Sequence, residues 1–194
     1  LKIPSAVILT FSPKAYILSF GDLISTGTKI NPVIMKSSDP AKNWHGLISI
    51  GNGSQTTQLK NTIIKNTSSL QTENWSLTGS ITVYKNKYVD IDSCVFINNS
   101  SEDFINIIHS NFSIKNTRIQ SAISDAFDSD FSDGEISHSS FVDIGAIGGG
   151  DAVDISGSNL SIQSTIFTNV DDKAISVGEG SVLHGDHLTI TNSG

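Results

Sequence analysis

Ile91 to Phe96 reads IDSCVF: an apolar residue, a polar one, two small ones, a variable one and a closing apolar one. The unit recurs as LKNTII at Leu59 to Ile64, IKNTRI at Ile114 to Ile119, ISHSSF at Ile136 to Phe141, IQSTIF at Ile162 to Phe167 and LHGDHL at Leu183 to Leu188. Its closing residue steps by 32, 23, 22, 26 and 21 positions. A second unit, one short strand, follows each of the first five: SITV from Ser80, FINI from Phe104, AFDS from Ala126, AVDI from Ala152 and AISV from Ala174, at steps of 24, 22, 26 and 22. Two independent units that keep one spacing do not arise from composition, so each 22 to 26 residues is one structural turn.

Strands of about four residues at this spacing leave no room for helices. A coil of two or three such strands joined by tight polar bends buries its apolar positions only by stacking on the next coil, about 4.8 Å away. Alternation along the second unit sends Ile81, Val83, Ile105, Ile107, Phe127, Val153, Ile155, Ile175 and Val177 inward and Thr82, Asn106, Asp128, Asp154 and Ser176 outward. A propeller blade needs about 40 residues, and no regular six-residue step of a left-handed hexapeptide helix runs through the chain. The spacing therefore predicts an all-β, single-stranded right-handed parallel β-helix, a solenoid with about 22 to 26 residues per coil. It spans 1–194 as one domain, with irregular entry coils over 1–58 and regular coils over 59–194. An insertion near 67–79 carries Trp75. The strand-like pattern that begins at Leu1 reads as a segment of a longer chain, whose neighbouring domains are expected partners.

Composition agrees with an all-β chain and narrows its partners. Of 194 residues 16% are charged, against about 25% in an average domain, and the surface is rich in Ser, Thr and Asn instead. Nineteen acidic residues against twelve basic ones leave a net charge of -7, the wrong sign for a phosphate backbone, so nucleic acid is excluded as an expected partner. The single cysteine, Cys94, excludes an internal disulfide and a thiolate-rich zinc site. No apolar run approaches the roughly 18 to 20 residues of a membrane span, so no membrane insertion is expected.

With the repeat in view, the chain resembles the pectin-lyase-like right-handed parallel β-helix repeat proteins over nearly its whole length. The opening KIPSAVILTF, GDLISTGTKINPVIMKSSD and NWHGLISI resemble entry coils of bacterial extracellular members. DAVDISGS and DKAISVGEGS are similar to bacterial β-helix modules, some attached to spore-coat-kinase-like (CotH-like) domains. The resemblance implies an extracellular or cell-surface location and a polysaccharide partner, bound or processed on the outer face. It also leaves open a non-catalytic stalk, adhesin or tailspike-like segment that presents other domains, because one fold hosts many functions.

Stacking the repeats puts Asp103, Asp125, Asp151 and Lys173 in one row and Asn106, Asp128, Asp154 and Ser176 in a second, which makes an acidic strip. Carboxylates one coil apart repel, so such rows call for a cation, a raised pKa or a lysine. No cofactor is required, but hard oxygen ligands suit Ca²⁺, with Asp128 and Asp154 the expected metal ligands. Asn106, Asp125, Asp151, Ser176 and Trp75 are the expected glycan contacts. The alternative is plain: Asp125 and Asp151 cap bends while Asp128 and Asp154 are solvated. Were the chain an enzyme, the family resemblance implies a polysaccharide lyase, a glycoside hydrolase or an epimerase. Hydrolases of the family are expected to use outward carboxylates such as Asp128 and Asp154 as acid and base. Its lyases and epimerases are expected to use a basic residue, for which Lys173, otherwise a salt-bridge partner of Asp151, lies nearer than the lone arginine, Arg118.

Among the histidines, His184 and His187 flank Asp186 as a metal trio or a solvated bend, and His138 fills the small-residue slot of its unit. Trp44 reads as a sugar platform or as a seal on its bend.

Overall fold

A computed structural model describes all 194 residues. It is all-β, with 23 strands in three parallel sheets of eight, eight and seven strands. Every third strand belongs to the same sheet, so each turn of the chain contributes one strand to each face of a three-sided parallel β-helix. No helix is long and apolar enough to cross a membrane.

The six-residue unit is a corner rather than a strand. Its first two residues end a first-sheet strand such as Tyr88–Asp92, and its last two lie in a second-sheet strand such as Val95–Asn99. The third residue of each of the first five units turns the chain in the left-handed region, Asn61 at φ 43°, Ser93 at 56°, Asn116 at 50°, His138 at 50° and Ser164 at 49°, and His187 at 52° does so in the last. Asn, Ser and His tolerate that region better than branched or bulky residues, which explains both the slot and the histidine in it.

The next residue is the corner's buried hydroxyl. Thr117 Oγ1 donates to the Lys115 carbonyl at 2.8 Å and accepts the Cys94 N–H of the adjacent coil at 3.3 Å. Ser139 repeats both bonds, to the Ser137 carbonyl and from the Thr117 N–H. Cys94 sits in this column, its thiol donating to the Leu59 carbonyl at 3.2 Å, and burial pushes its pKa up to about 12. It is a packed spacer.

Register corrects the last unit. Leu183 pairs with Leu160, Gly185 with Ile162 and Ile190 with Phe167, so the sixth of these corners runs from Gly185 to Ile190, two residues later than LHGDHL implies. Leu188 lies in the hydroxyl column, and a Cβ on Gly185 would stand 2.9 Å from its Cδ1, so the leucine covers the slot that glycine leaves.

The core is a set of ladders. Ile91, Ile114, Ile136 and Ile162 stack in one, all at most 1% exposed, and Phe96, Ile119, Phe141 and Phe167 in another. Phe141 and Phe167 stack at 5.1 Å between centroids. Residues before Thr56 already make two full turns on the same three sheets. Trp44 belongs to the core: it is fully buried, stacks on Phe11 at 4.1 Å and donates its indole N–H to the Lys65 carbonyl. The inward stack of the third sheet holds from Ile81 to Ile155 but loosens in its last strand, Ser176–Val177. Val177 pairs with Ile155, yet it is 47% exposed because no strand follows it in that sheet.

Candidate functional site

Strict alternation puts residues i and i+3 of a strand on opposite faces. The third sheet departs from it in the same place on successive strands. Phe104 and Ile105 are both buried, as are Ala126 with Phe127, Ala152 with Val153 and Ser80 with Ile81. Two consecutive inward residues bend the strand, and the residues flanking the pair then share the outer face. Asp103 and Asn106 meet directly, Asn106 Nδ2 donating to Asp103 Oδ2 at 3.2 Å. Each coil thus presents a tetrad, DFIN at Asp103, DAFD at Asp125, DAVD at Asp151 and KAIS at Lys173, with two side chains out and two in.

Both expected rows are present. Asp103 pairs with Asp125, and Asp128 with Asn106 on one side and Asp154 on the other. Asp154 pairs in turn with Ser176. The first row is tied to backbone: Asp125 Oδ1 accepts the Asp151 N–H at 2.9 Å, and Asp151 Oδ1 accepts the Lys173 N–H at 2.8 Å. These are the bend-capping roles open to Asp in the sequence. The second row is held mainly by side chains, with the Ile155 N–H as a further partner of Asp154. Asp128 Oδ2 accepts from Asn106 Nδ2 at 2.7 Å, and Asp154 accepts from the Ser176 hydroxyl.

The electrostatics follow from burial and crowding. Asp128 is half-buried, and its pKa is pushed up to about 8, first by burial and then by the charges of Asp103, Asp130, Asp154 and Asp125. Asp103, 3% exposed, is pushed up to about 6 by burial, against the pull of hydrogen bonds from Thr78 and Asn106. Burial also raises Asp125 and Asp154, opposed by the Asp151 N–H at the first and the Ser176 hydroxyl at the second. At neutral pH the strip therefore favours the protonated carboxyl at Asp128, the form in which a carboxyl can act as an acid.

Three expectations change. Lys173 takes the ion-pair alternative, with Asp172 at 2.5 Å and Asp151 at 3.5 Å, and the bond to Asp172 raises its pKa, which favours the charged form. Trp75 is not beside the strip. It is half-buried in the loop between Thr62–Thr67 and Gly79–Tyr84, where it lines a small apolar hollow with Tyr16, Leu18 and Leu70, at the end of the sheet remote from Asp128. The outward residues Thr82 and Asn106 are also 4% and 3% exposed rather than solvated. No group of three or more His, Cys, Asp or Glu side chains converges to hold a metal. Asp128 and Asp154 supply two carboxylates where Ca²⁺ takes 6 to 8 oxygens, so water would have to complete most of its shell. His187 pairs with Asp186 at 2.8 Å on an exposed corner.

Sequence reasoning missed an aromatic group beside the strip. The Phe131 ring stacks on the His109 imidazole at 5.2 Å, and Tyr84 meets His109 edge-on at 6.0 Å. Phe131 directly follows Asp130, is 61% exposed and sits at φ 50°, a strained conformation for a bulky residue. Gly157 in the next coil makes room for it: a Cβ there would stand 2.6 Å from the ring. The surface hollows lie along the corners and beside Trp75, and none is lined by a residue of the two rows, so the strip is an open face rather than a cleft.

No family model matches the chain, and no curated protein matches it in sequence. Among solved structures it is similar to a candidate glycosyl hydrolase from Parabacteroides merdae, at 13% identity and TM-score 0.38 over 96% of this chain and 81% of that one. It is also similar to the catalytic domain of a GH87 α-1,3-glucanase, at 12% and 0.34 over 97% of this chain and 40% of that one. An alginate lyase from Paenibacillus gives 8% and 0.27 over 95% and 93%. The fold assignment rests on the three parallel sheets.

Proposed function

We propose that the outer face of the third sheet binds a polysaccharide, with the chain of sugars running across the coils. The observation that carries this reading is the strip itself: hydrogen-bonding side chains repeat at one-coil intervals on an open, elongated face, with an exposed aromatic pair at its flank. A polymer fits such a surface better than a compact metabolite does. Carboxylate and amide groups match sugar hydroxyls, and Phe131 over His109 offers an apolar plane of the kind a pyranose ring covers. In a processing variant of the same reading, Asp128 donates a proton to the glycosidic oxygen and Asp154 acts as the opposed carboxylate.

A second reading, a solenoid that only presents other domains, is favoured by the absence of a cleft over the strip. Titration of the chain with neutral, basic and acidic oligosaccharides, with reducing-end and unsaturated-product assays alongside, separates the two. Saturable binding weakened by Phe131→Ala supports the glycan face. No binding of any class up to about 10 mM, an affinity worth under about 3 kcal/mol, leaves the presenting solenoid.

A further inference from the structure

The strip is short of hydrogen-bond donors. None of Asp103, Asp125, Asp128, Asp130 and Asp154 takes part in an ion pair, and the one lysine nearby is occupied by Asp151 and Asp172. Acids in a row need no ligand to explain them, because water satisfies carboxylates well. Asn106 is different. It is 3% exposed, and its Nδ2 donates to Asp128 at 2.7 Å, Asp103 at 3.2 Å and Thr78 Oγ1 at 3.4 Å. Its Oδ1 is buried with no partner at all. An orphaned buried carbonyl costs stability that a bonded one does not.

The missing group is therefore a donor, and the surrounding charge says that it is a positive one. Its shape follows from the layout. No three acidic groups converge on a point, which a compact cation would need, whereas the carboxyls follow one another along the sheet at about 4.8 Å per coil. We propose that the strip is built for a linear glycan bearing protonated amines, a polymer of amino sugars, which rests on the glycan reading above. Each ammonium brings three donors to a surface of acceptors. One of them is the donor that Asn106 Oδ1 lacks. The net charge of -7 supports the same polarity of ligand.

The test is isothermal titration at pH 6 and low salt with three hexasaccharides: glucosamine, its N-acetylated form and galacturonate. The glucosamine hexamer is expected to bind at least tenfold more tightly than the acetylated one, and to weaken as salt rises. Its affinity is expected to fall at least tenfold in Asp128→Asn/Asp154→Asn and to stay within twofold in Asp143→Asn/Asp186→Asn, which removes two carboxyls elsewhere. Equal binding of the free and acetylated amines would overturn the amine requirement and leave the glycan face standing. An equal loss in both double variants would reduce the effect to overall charge and overturn the strip as the site. No binding of any hexamer would remove this inference together with the reading beneath it.

Discussion

Asp128→Asn is expected to make the protein more stable, and more so as the pH rises. The folded chain holds the Asp128 proton more tightly than the unfolded one, with a pKa of about 8 against 3.8. Its contribution to stability is therefore complete below about pH 4 and is lost as the pH climbs through about 8. At 1.36 kcal/mol per pKa unit a fully ionised Asp128 would cost about 6 kcal/mol. Partial solvent access and the sharing of protons with Asp103 and Asp154 bring this to about 2 to 3 kcal/mol. Asparagine keeps an oxygen to accept the 2.7 Å bond from Asn106 Nδ2 and removes the charge that Asp103, Asp130 and Asp154 repel. Urea unfolding followed by circular dichroism should thus find parent and variant within about 0.5 kcal/mol at pH 4 and about 2 to 3 kcal/mol apart at pH 9. In melting temperature that gap is about 4 to 12 °C for a chain of this size. Parallel pH profiles, with a constant offset or none, would refute the crowding of the strip as the cause.

The remaining predictions address packing and the flank of the site. Val153→Asp places a charge at a fully buried position in the third-sheet ladder and should cost at least about 3 kcal/mol; a variant that melts with its parent would reject the inward register. Cys94, with its thiol buried and its pKa about 12, should resist a thiol reagent in the folded protein and react at once in denaturant, and fast labelling under native conditions would contradict the packing. Phe131→Ala is expected to weaken oligosaccharide binding about 2- to 10-fold, the worth of one aromatic contact, with little loss of stability because the ring is mostly exposed; unaltered affinity would remove the aromatic flank from the site.

The repeat was legible because its corners demand unusual residues. A left-handed residue followed by a buried hydroxyl leaves a narrow choice, so Asn116-Thr117, His138-Ser139 and Ser164-Thr165 stand out at one spacing. The last corner hid because Leu183 and Leu188 imitate the pattern two residues early, while the true first slot is a glycine. The two rows of the strip were also readable, since coil spacing alone aligns Asp125 with Asp151 and Asp128 with Asp154. The meeting of the rows was not. Two adjacent buried residues, as at Phe104 and Ile105, look like noise in a period-two pattern, although the recurring interval of two apolar residues between polar ones was the available signal. Burial of Asn106 and the pairing of His109 with Phe131 join residues of different coils, and neither position repeats its residue type along its column. Trp75 misled because a loop tryptophan reads as exposed, whereas its neighbours come from the first turn, about 60 positions earlier.

The bent strand of the third sheet also bears on how such a surface can change. Each coil is a cassette that brings its own pair of outward groups and its own two core residues, so duplicating one whole coil would lengthen the acidic track by one step and disturb nothing else. A single inserted residue has the opposite effect: it rotates the tetrad, turns an aspartate into the core and breaks the track at that rung. Reach and chemistry of the face are thus separately adjustable. The number of coils sets how long a partner it can span, and the first and fourth letters of each tetrad set what is offered at each step.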